Sequence, residues 1–293
     1  MIFAVLAAAV FVLLAFLYVT WRIRYGYPPR DVPPVLCFHK LSSRFCFEGT
    51  WTKPERFLGH IDSLVGRGYR FLGEEAFYDA LDRRSPDHAK SVLLTFDDGY
   101  EEIHEMFTRH LAPRGIPVLV FLVTGYAGKV NSWDLTLGRR PFRHLSWEEV
   151  AEMAALGASF GSHGATHVDL TRAPVGVVER EIGESRRELS ERTGRNIRSF
   201  SYPFGRYNVA VRDAVRRAGY AGAFSLYPRH ANARVDRWAL RRNGVYVIDT
   251  NATLRWKLEP TPCFWIEEMK CRSINATARL TPLLKRFSAG RDR

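Results

Sequence analysis

Cysteine is scarce in this 293-residue chain, which contains only four, and none has the C-x-x-C spacing of a metal site. They fall into two local pairs, Cys37 with Cys46 and Cys263 with Cys271. Disulfides are therefore expected only if the protein faces an oxidising compartment. The chain also lacks internal repeats, low-complexity tracts and any stretch rich enough in Pro, Gly or Ser to act as an interdomain linker. These absences argue against a repeat architecture and against a cysteine-based metal centre.

Charged side chains are absent from residues 1–21. This apolar run is long enough to span a bilayer as a helix, and three arginines follow it: Arg22, Arg24 and Arg30. The basic start and the A-x-A cleavage site of a signal peptide are both missing. We therefore predict a single-pass transmembrane anchor at 1–21 and a juxtamembrane linker at 22–32.

The side of the membrane on which the folded body lies is less well determined by the sequence. Because the arginines follow the apolar run, the positive-inside rule favours the cytoplasmic side. A first helix joined to a large domain can nevertheless be translocated despite its flanking charges. Both sides of the membrane therefore stay open.

The chain is basic, with 43 Lys and Arg against 31 Asp and Glu, a net charge of +12. Basic residues recur through 251–293, which we predict to be a basic C-terminal extension. Such a tail on a membrane-anchored protein suits an anionic lipid surface or an anionic polymer. No nucleic-acid-binding module is visible, so nucleic acid is not an expected partner. The alternative is a solvated basic face with no partner.

Short apolar runs such as "SVLLTF" and "IPVLVFLV" alternate with helical patterns through residues 33–250. One of these helices has a predicted capping box, formed by Ser146 and Glu149. The alternation predicts an α/β fold whose parallel strands are numerous enough to close into a barrel. In such a barrel, functional residues collect at the carboxyl ends of the strands. Five candidate residues fall there: His39, Asp97, Asp98, His163 and Tyr202.

Two adjacent carboxylates, Asp97 and Asp98, follow the strand "SVLLTF". Taken alone, Asp-Asp-Gly is more often a turn or a helix cap than a site. The segment "SHGATH" places His163 and His167 four residues apart, a spacing that is often incidental. Together, two imidazoles and one carboxylate would make a facial metal site with open positions. If Asp98 binds the metal, its charge is neutralised there and Asp97 is free to act as a base.

The segments "TFDDG", "SHGATH" and "FSYPFG", in this order, resemble the first three motifs of the polysaccharide deacetylase family, carbohydrate esterase family 4. The resemblance covers residues 33–250. It implies a distorted (β/α)7-type barrel, a divalent metal (commonly Zn²⁺) and hydrolysis of N-acetyl groups on amino sugars. We therefore expect 33–250 to be the catalytic domain.

The resemblance also implies roles for individual residues. Asp97 would be the general base, and Asp98, His163 and His167 would be the metal ligands. Tyr202 would lie at the substrate groove, with its backbone N–H stabilising the oxyanion. Independently of the family, Trp133 in the loop "VNSWD" is a candidate for stacking on a sugar ring.

The sequence departs from the family pattern where many members carry an arginine that tethers the base. That position is Ser201. Arg241 or Arg242, in "DRWALRRNGV", would supply the missing charge from a later strand, and we expect Arg242 to do so.

The general acid is the second departure, because the family's late Leu-x-His motif is absent and no histidine follows His230. His39 in "VLCFHKL" is the expected replacement, as in a subgroup of the family in which this motif is permuted to the N-terminal side. A histidine suits this role because its pKa lies near operating pH. The alternative is that His39 is a core residue, and His144 and His230 are weaker candidates.

We therefore predict a membrane-anchored, metal-dependent hydrolase that removes an N-acyl group, in the first place acetyl, from an amino sugar of a polysaccharide or glycan. One alternative is a cytoplasmic-face deacetylase or deformylase of a lipid-linked amino sugar, which the anchor and the basic tail favour. Another is a non-catalytic sugar-binding homologue, prompted by Ser201 and the missing late histidine.

Overall fold

The computed structural model of the chain describes residues 2–24, 26–27, 31–46, 49–84, 88, 90–133, 141–226, 235–259, 261 and 263–277. His230 and the basic residues after 277 lie outside the described residues. The strands are β1 (Val35–Phe38), β2 (Lys40–Leu41), β3 (Trp51–Thr52), β4 (Arg70–Leu72), β5 (Ser91–Phe96), β6 (Leu119–Leu122), β7 (Ser159–Ser162), β8 (Ser199–Ser201), β9 (Gly222–Leu226) and β10 (Leu240–Gly244). The helices are α1 (Ile2–Arg24), α2 (Pro54–Gly66), α3 (Glu74–Arg83), α4 (Glu102–Met106), α5 (Trp147–Ala155), α6 (Val175–Thr193), α7 (Val209–Arg217), α8 (Asn251–Leu258) and α9 (Phe264–Thr277).

Seven parallel strands close into a barrel in the order β1-β10-β9-β8-β7-β6-β5, because β5 pairs back onto β1. β4 lies outside this ring and pairs with the first half of β5. The short strands β2 and β3 form a separate pair directly after β1. The predicted parallel (β/α)7 barrel is therefore confirmed.

β5 is buried along its whole length, and its side chains alternate between two apolar clusters. Val92, Leu94 and Phe96 pack among the residues of the surrounding helices. Leu93 packs with Phe121 and Phe224 in a second cluster, the barrel interior, which α3 covers. A continuous apolar strand is what a sheet buried on both faces requires. Two rings of this interior cluster, those of Phe121 and Phe224, contact the Arg242 guanidinium.

The predicted capping box is confirmed at the start of α5. The Glu149 backbone N–H donates to Ser146 Oγ at 3.2 Å, and the Ser146 N–H donates to Glu149 Oε2 at 2.8 Å. All four cysteines are free thiols.

α1 packs against α9 through its last turn. The Trp21 indole N–H donates to Glu268 Oε2 at 3.1 Å, and the Trp21 ring centroid lies 5.9 Å from that of Phe264. Among the described residues, no helix combines the length and the hydropathy needed to cross a membrane. The predicted transmembrane helix is therefore not supported by the structure.

Candidate active site

The site begins where β5 ends, at the carboxyl end of the barrel. Asp98 and Gly99 both have left-handed backbone, with φ of +68° and +67°. A Cβ at Gly99 would lie 2.3 Å from Cδ2 of Leu122, so only glycine fits this turn. Because the chain turns sharply here, the adjacent side chains of Asp97 and Asp98 enter different environments.

Asp97 is buried and forms a bidentate ion pair with Arg242. Nη1 donates to Oδ1 at 2.6 Å, and Nη2 donates to Oδ2 at 2.7 Å. The same Nη2 donates to Ser201 Oγ at 2.8 Å. Arg241 points elsewhere and pairs with Glu268 at 3.0 Å. The structure thus places Arg242, not Arg241, against the predicted base, next to the serine that occupies the family's arginine position.

Arg242 keeps Asp97 ionised. Burial alone would raise the pKa of Asp97, but the adjacent guanidinium outweighs burial and holds that pKa below its usual value. Arg242 itself is fully buried, with Cζ 5.3 Å from the ring centroid of Phe121 and 6.0 Å from that of Phe224. The Cys37 thiol lies 3.6 Å from Asp97 Oδ2, and burial raises the pKa of that thiol. Asp97 therefore has a cationic neighbour in Arg242 and neutral neighbours in the Cys37 thiol and the Ser201 hydroxyl.

The second carboxylate, Asp98, meets the two histidines of "SHGATH". Asp98 Oδ1 lies 3.5 Å from His163 Nε2 and 3.4 Å from His167 Nε2. All three side chains are at most 8% exposed. Burial lowers the pKa of both histidines, so both rings are neutral, which is the form that binds a metal. The structure therefore brings the three predicted ligands together.

Ser201 also orients His163. His163 Nδ1–H donates to the backbone carbonyl oxygen of Ser201 at 2.7 Å. In a neutral imidazole this fixes the proton on Nδ1 and leaves the lone pair of Nε2 directed at Asp98. Metal-ligating histidines are held in this manner by a carbonyl or carboxylate partner.

This donor set fits a divalent cation. Two acceptor atoms, His163 Nε2 and Asp98 Oδ1, face each other at 3.5 Å, which is too long for a good hydrogen bond. Two ligand atoms on a tetrahedral Zn²⁺ lie about 3.4 Å apart, given bond lengths of about 2.0–2.1 Å. The ligand atoms of Asp98, His163 and His167 all lie within 4.8 Å of one another. Imidazole and carboxylate ligands suit Zn²⁺ and related metals.

His39 lies directly after β1, close to Asp97. Potential ligand atoms of Cys37, His39 and Asp97 all lie within 4.8 Å of one another. Among the described residues, His39 Nδ1 has no hydrogen-bond partner. Burial lowers the pKa of His39 to about 4, so the ring is neutral at ordinary pH. The structure thus places the predicted general acid beside the predicted base.

Tyr202 requires a correction, because its polar groups are directed away from the predicted roles. Its backbone N–H donates to the carbonyl of Phe224 at 3.0 Å, within the pairing of β8 and β9. Its buried hydroxyl donates to the carbonyl of Trp238 at 2.8 Å. Tyr202 therefore neither lines a groove nor offers its N–H to an oxyanion.

Phe204, two residues later, reaches the site in its place. Its backbone is left-handed, with φ of +60°, and its ring centroid lies 4.6 Å from that of His167. A bulky residue in this conformation is strained by about 1–3 kcal/mol. The Pro203–Gly205 turn was visible in the motif, but nothing in the sequence shows which aromatic side chain turns inward.

Trp133 stacks on the same histidine. Its ring lies 4.6 Å from that of His167 at an interplanar angle of 25°, and 4.6 Å from that of Tyr126 at 78°. Trp133 is partly exposed. Its predicted contact with a sugar ring stays a prediction, and its contact with a metal-ligand candidate is a finding of the structure.

His144, a weaker candidate for the general acid, forms a hydrogen bond with the backbone of Asp98. Its Nδ1–H donates to the backbone carbonyl of Asp98 at 2.8 Å, and its Nε2 contacts the Asn131 amide at 3.2 Å. The buried ring stacks on Tyr100 with centroids 5.0 Å apart. Both nitrogens are thus engaged within the protein, and His144 holds the left-handed turn at Asp98. It lies in a loop of irregular structure, so no periodic pattern marks it.

Comparison with known proteins agrees with this geometry. The sequence profile of the family described as polysaccharide deacetylase matches residues 84–223. Bacillus subtilis (strain 168) YxkH, provisionally named a polysaccharide deacetylase, is 27% identical over 209 residues, which are 71% of this chain and 70% of that protein. Poly-β-1,6-N-acetyl-D-glucosamine N-deacetylase of Staphylococcus aureus (strain N315) is 26% identical over 148 residues, 47% of this chain and 48% of that protein. The chain thus spans about half the length of this second relative.

Solved structures show the same fold. The Streptococcus pyogenes deacetylase PplD, in complex with acetate, superposes with a TM-score of 0.67 at 24% identity, covering 78% of this chain and 98% of that one. IcaB from Ammonifex degensii superposes with a TM-score of 0.62 at 24% identity, covering 81% and 95%. The profile match spans both the Asp-Asp pair and the two histidines. Residues 84–223 thus belong to the polysaccharide deacetylase family, and the chain is a hydrolase of carbon–nitrogen amide bonds.

Proposed function

We propose that this protein removes an N-acyl group, which we expect to be acetyl, from an amino sugar of a glycan. In this proposal Asp98, His163 and His167 hold a divalent metal. One observation carries the proposal: three neutral or anionic ligand candidates converge beside a carboxylate that Arg242 keeps ionised. A divalent cation at these ligands, with Zn²⁺ the best fit to the donor set, would polarise the amide carbonyl and acidify water.

Asp97 accepts the proton of the attacking water in this proposal. Its ion pair with Arg242 keeps it anionic and fixes its orientation, at the expense of basicity. The Asp97 carboxylate and the His163 ring are close, with Oδ2 3.9 Å from Nε2, so base and ligand set share one small volume. A water molecule in reach of both is thereby held for attack.

His39 donates a proton to the departing amine. Because its pKa is lowered to about 4, the resting ring is neutral and must first take up a proton before it can act as an acid. Its place beside Asp97 supports a role in the same reaction. The free Nδ1 is the position at which a proton or a substrate group can bind.

The substrate is proposed to be an amino-sugar polymer. The named substrate of the Staphylococcus aureus relative supports this class. The partly exposed Trp133 ring, fixed on His167, offers an aromatic surface next to the ligands.

The decisive assay measures acetate release from a β-linked N-acetylglucosamine oligomer. We expect turnover by the wild type, loss on chelation and recovery on adding Zn²⁺ or Co²⁺. Asp97→Asn should lower kcat by about 10²–10⁴-fold and His39→Ala should also lower it, with both variants keeping their metal. Unchanged turnover after Asp97→Asn would contradict the proposal.

We also propose that the protein works at a membrane surface, to which α1 attaches it. Exposed apolar side chains along α1 support this, including Phe11, which is 72% exposed, and Arg22 and Arg24 end the helix. Protease treatment of intact spheroplasts carrying a C-terminally tagged chain distinguishes the sides. A digested tag indicates an external polysaccharide, whereas a protected tag indicates a lipid-linked amino sugar. Recovery of the full chain in the soluble fraction would contradict attachment.

A further inference from the structure

The loop between the two histidine ligands, Gly164–Thr166, is held by a buried carboxylate from another element. Glu181, on α6, accepts from the backbone N–H of Ala165 at 2.7 Å and from that of Thr166 at 2.9 Å. It also accepts from the Thr166 hydroxyl. A single side chain thus binds three donors of the segment that sets the separation of His163 and His167.

The opposite side of the loop is held by backbone. Thr124 N–H donates to the carbonyl of Gly164 at 3.2 Å, and Gly125 N–H donates to that of Ala165 at 2.9 Å. The loop therefore lies between the segment after β6 and the side chain of Glu181. With its N–H groups bound on one side and its carbonyls on the other, it has little freedom to shift.

Gly164 shows how closely the carboxylate approaches. Its φ is +82°, and a Cβ there would lie 2.9 Å from Glu181 Oε2. Glu181 occupies the space that a side chain at position 164 would need. The glycine in "SHGATH" is therefore explained by the carboxylate as well as by its left-handed backbone.

The buried charge of Glu181 is costly. Glu181 is 6% exposed, and within the part of the chain that the structure describes no lysine or arginine forms an ion pair with it. A buried carboxylate is destabilising unless hydrogen bonds compensate it. Among the described residues, the compensating charge-assisted hydrogen bonds come from the histidine loop.

We infer that Glu181 is a positioning residue that holds His163 and His167 at the separation a divalent cation requires. This inference rests on the proposed function for the metal. The carboxylate binds the segment between the two histidines and not their ring nitrogens, so it acts through Gly164–Thr166. Partners of this kind behind metal ligands affect metal affinity about 10–100-fold.

The test compares Glu181→Ala with Glu184→Ala, an exposed position on the same helix. Co²⁺ is titrated into each metal-free protein and followed by its visible absorption. We expect Glu181→Ala to weaken Co²⁺ binding about 10–100-fold and to change the band shape. Glu184→Ala should match the wild type. Glu181→Gln, which can keep the hydrogen bonds without the charge, should recover most of the affinity. Equal Co²⁺ affinity in folded Glu181→Ala and Glu184→Ala would overturn the inference.

A second readout needs no metal. In the metal-free protein, the amide protons of Ala165 and Thr166 should exchange at least about tenfold faster in Glu181→Ala than in the wild type. Unchanged exchange would also overturn the inference. If Glu181→Ala does not fold, Thr166→Val removes one donor and should weaken Co²⁺ binding a few-fold. A wild type that binds no Co²⁺ instead refutes the metal site, and so the proposed function, which keeps the two failures distinct.

Discussion

Among the described residues, the α8–α9 region and the carboxyl end of the barrel each hold a buried cluster of ionisable side chains, and the two clusters differ in where the compensating charge comes from. In the α8–α9 region, Lys257 contacts Asp249 at 3.2 Å and Glu267 at 3.1 Å. Lys270 contacts the same two carboxylates at 2.6 and 2.5 Å. Two cations and two anions satisfy each other, and this cluster joins α8 and α9 to the segment that follows β10.

At the carboxyl end of the barrel, by contrast, the two neighbouring carboxylates have different partners. Asp97 is neutralised by Arg242, as in the α8–α9 cluster, whereas Asp98 faces the neutral rings of His163 and His167. A buried charge is costly unless hydrogen bonds, an opposite charge or a bound metal compensates it. Charges that satisfy one another, as in the α8–α9 region, need no further ion, whereas the facing acceptor atoms of Asp98, His163 and His167 are suited to bind a cation.

The largest effect is expected at the acceptor cluster. Asp98→Asn removes an anionic ligand, so bound metal should be lost and kcat/KM should fall by about 10³-fold or more. Metal analysis and acetate release check both expectations. Asp97→Asn is the matched control, because it alters the neighbouring residue yet should keep the metal. Equal metal contents in the two variants would show that Asp97 and Asp98 do not differ in metal binding.

Breaking the ion pair between Asp97 and Arg242 should lower the stability of the protein. Arg242→Met leaves Asp97 buried without its cation, which should lower the free energy of unfolding by about 3–5 kcal/mol. Urea denaturation measures this. A loss under about 1 kcal/mol would show that the pair contributes little.

The same variant should invert the pH dependence. In the wild type the pKa of Asp97 is lowered in the folded state, so its contribution to stability is present above the unfolded pKa of about 3.9 and is lost as pH falls. Without Arg242, burial would raise that pKa, and stability would instead fall as pH rises through it. Denaturation midpoints from pH 3 to 8 distinguish the two slopes.

Lys257→Met should have a smaller effect and only on stability. Lys270 still contacts both carboxylates, so we expect a loss of about 1–3 kcal/mol. Metal affinity and kcat should match those of the wild type. A change in metal affinity would show that the two clusters are coupled.

Ser201→Ala should have the smallest effect. It deletes the hydroxyl that accepts from Arg242 but keeps the carbonyl that orients His163. The expected loss is about 1 kcal/mol in stability with unchanged metal affinity. Weaker metal binding would show that the hydroxyl also supports the ligand set.

Much of this site could be predicted because it depends on strand ends. Apolar runs locate the strands, and parallel strands bring their carboxyl ends together, which placed Asp98, His163 and His167 at one mouth. Arg242 was expected for a different reason, because the family resemblance requires a charge to replace the arginine missing at Ser201. The barrel itself was predictable from the alternation of strands and helices.

The remainder depends on backbone conformation and on loops. Choosing Phe204 over Tyr202 requires knowing that a phenylalanine adopts a left-handed φ. Glu181 lies on an amphipathic helix where its sequence context is that of any buried-face residue, and only the tertiary fold brings it to the histidine loop. His144 supports Asp98 through a loop of irregular structure. Such contacts have no periodic signal in the sequence.

The claim that Asp98, His163 and His167 form the metal site is tested most directly by locating the metal. Anomalous diffraction from crystals grown with Zn²⁺ measures its position. We expect one anomalous peak per chain, bounded by these three residues. A single peak at Cys37, His39 and Asp97, the other potential ligand group of the described residues, would contradict it. Absence of any peak at the three ligands under saturating Zn²⁺ would contradict it as well.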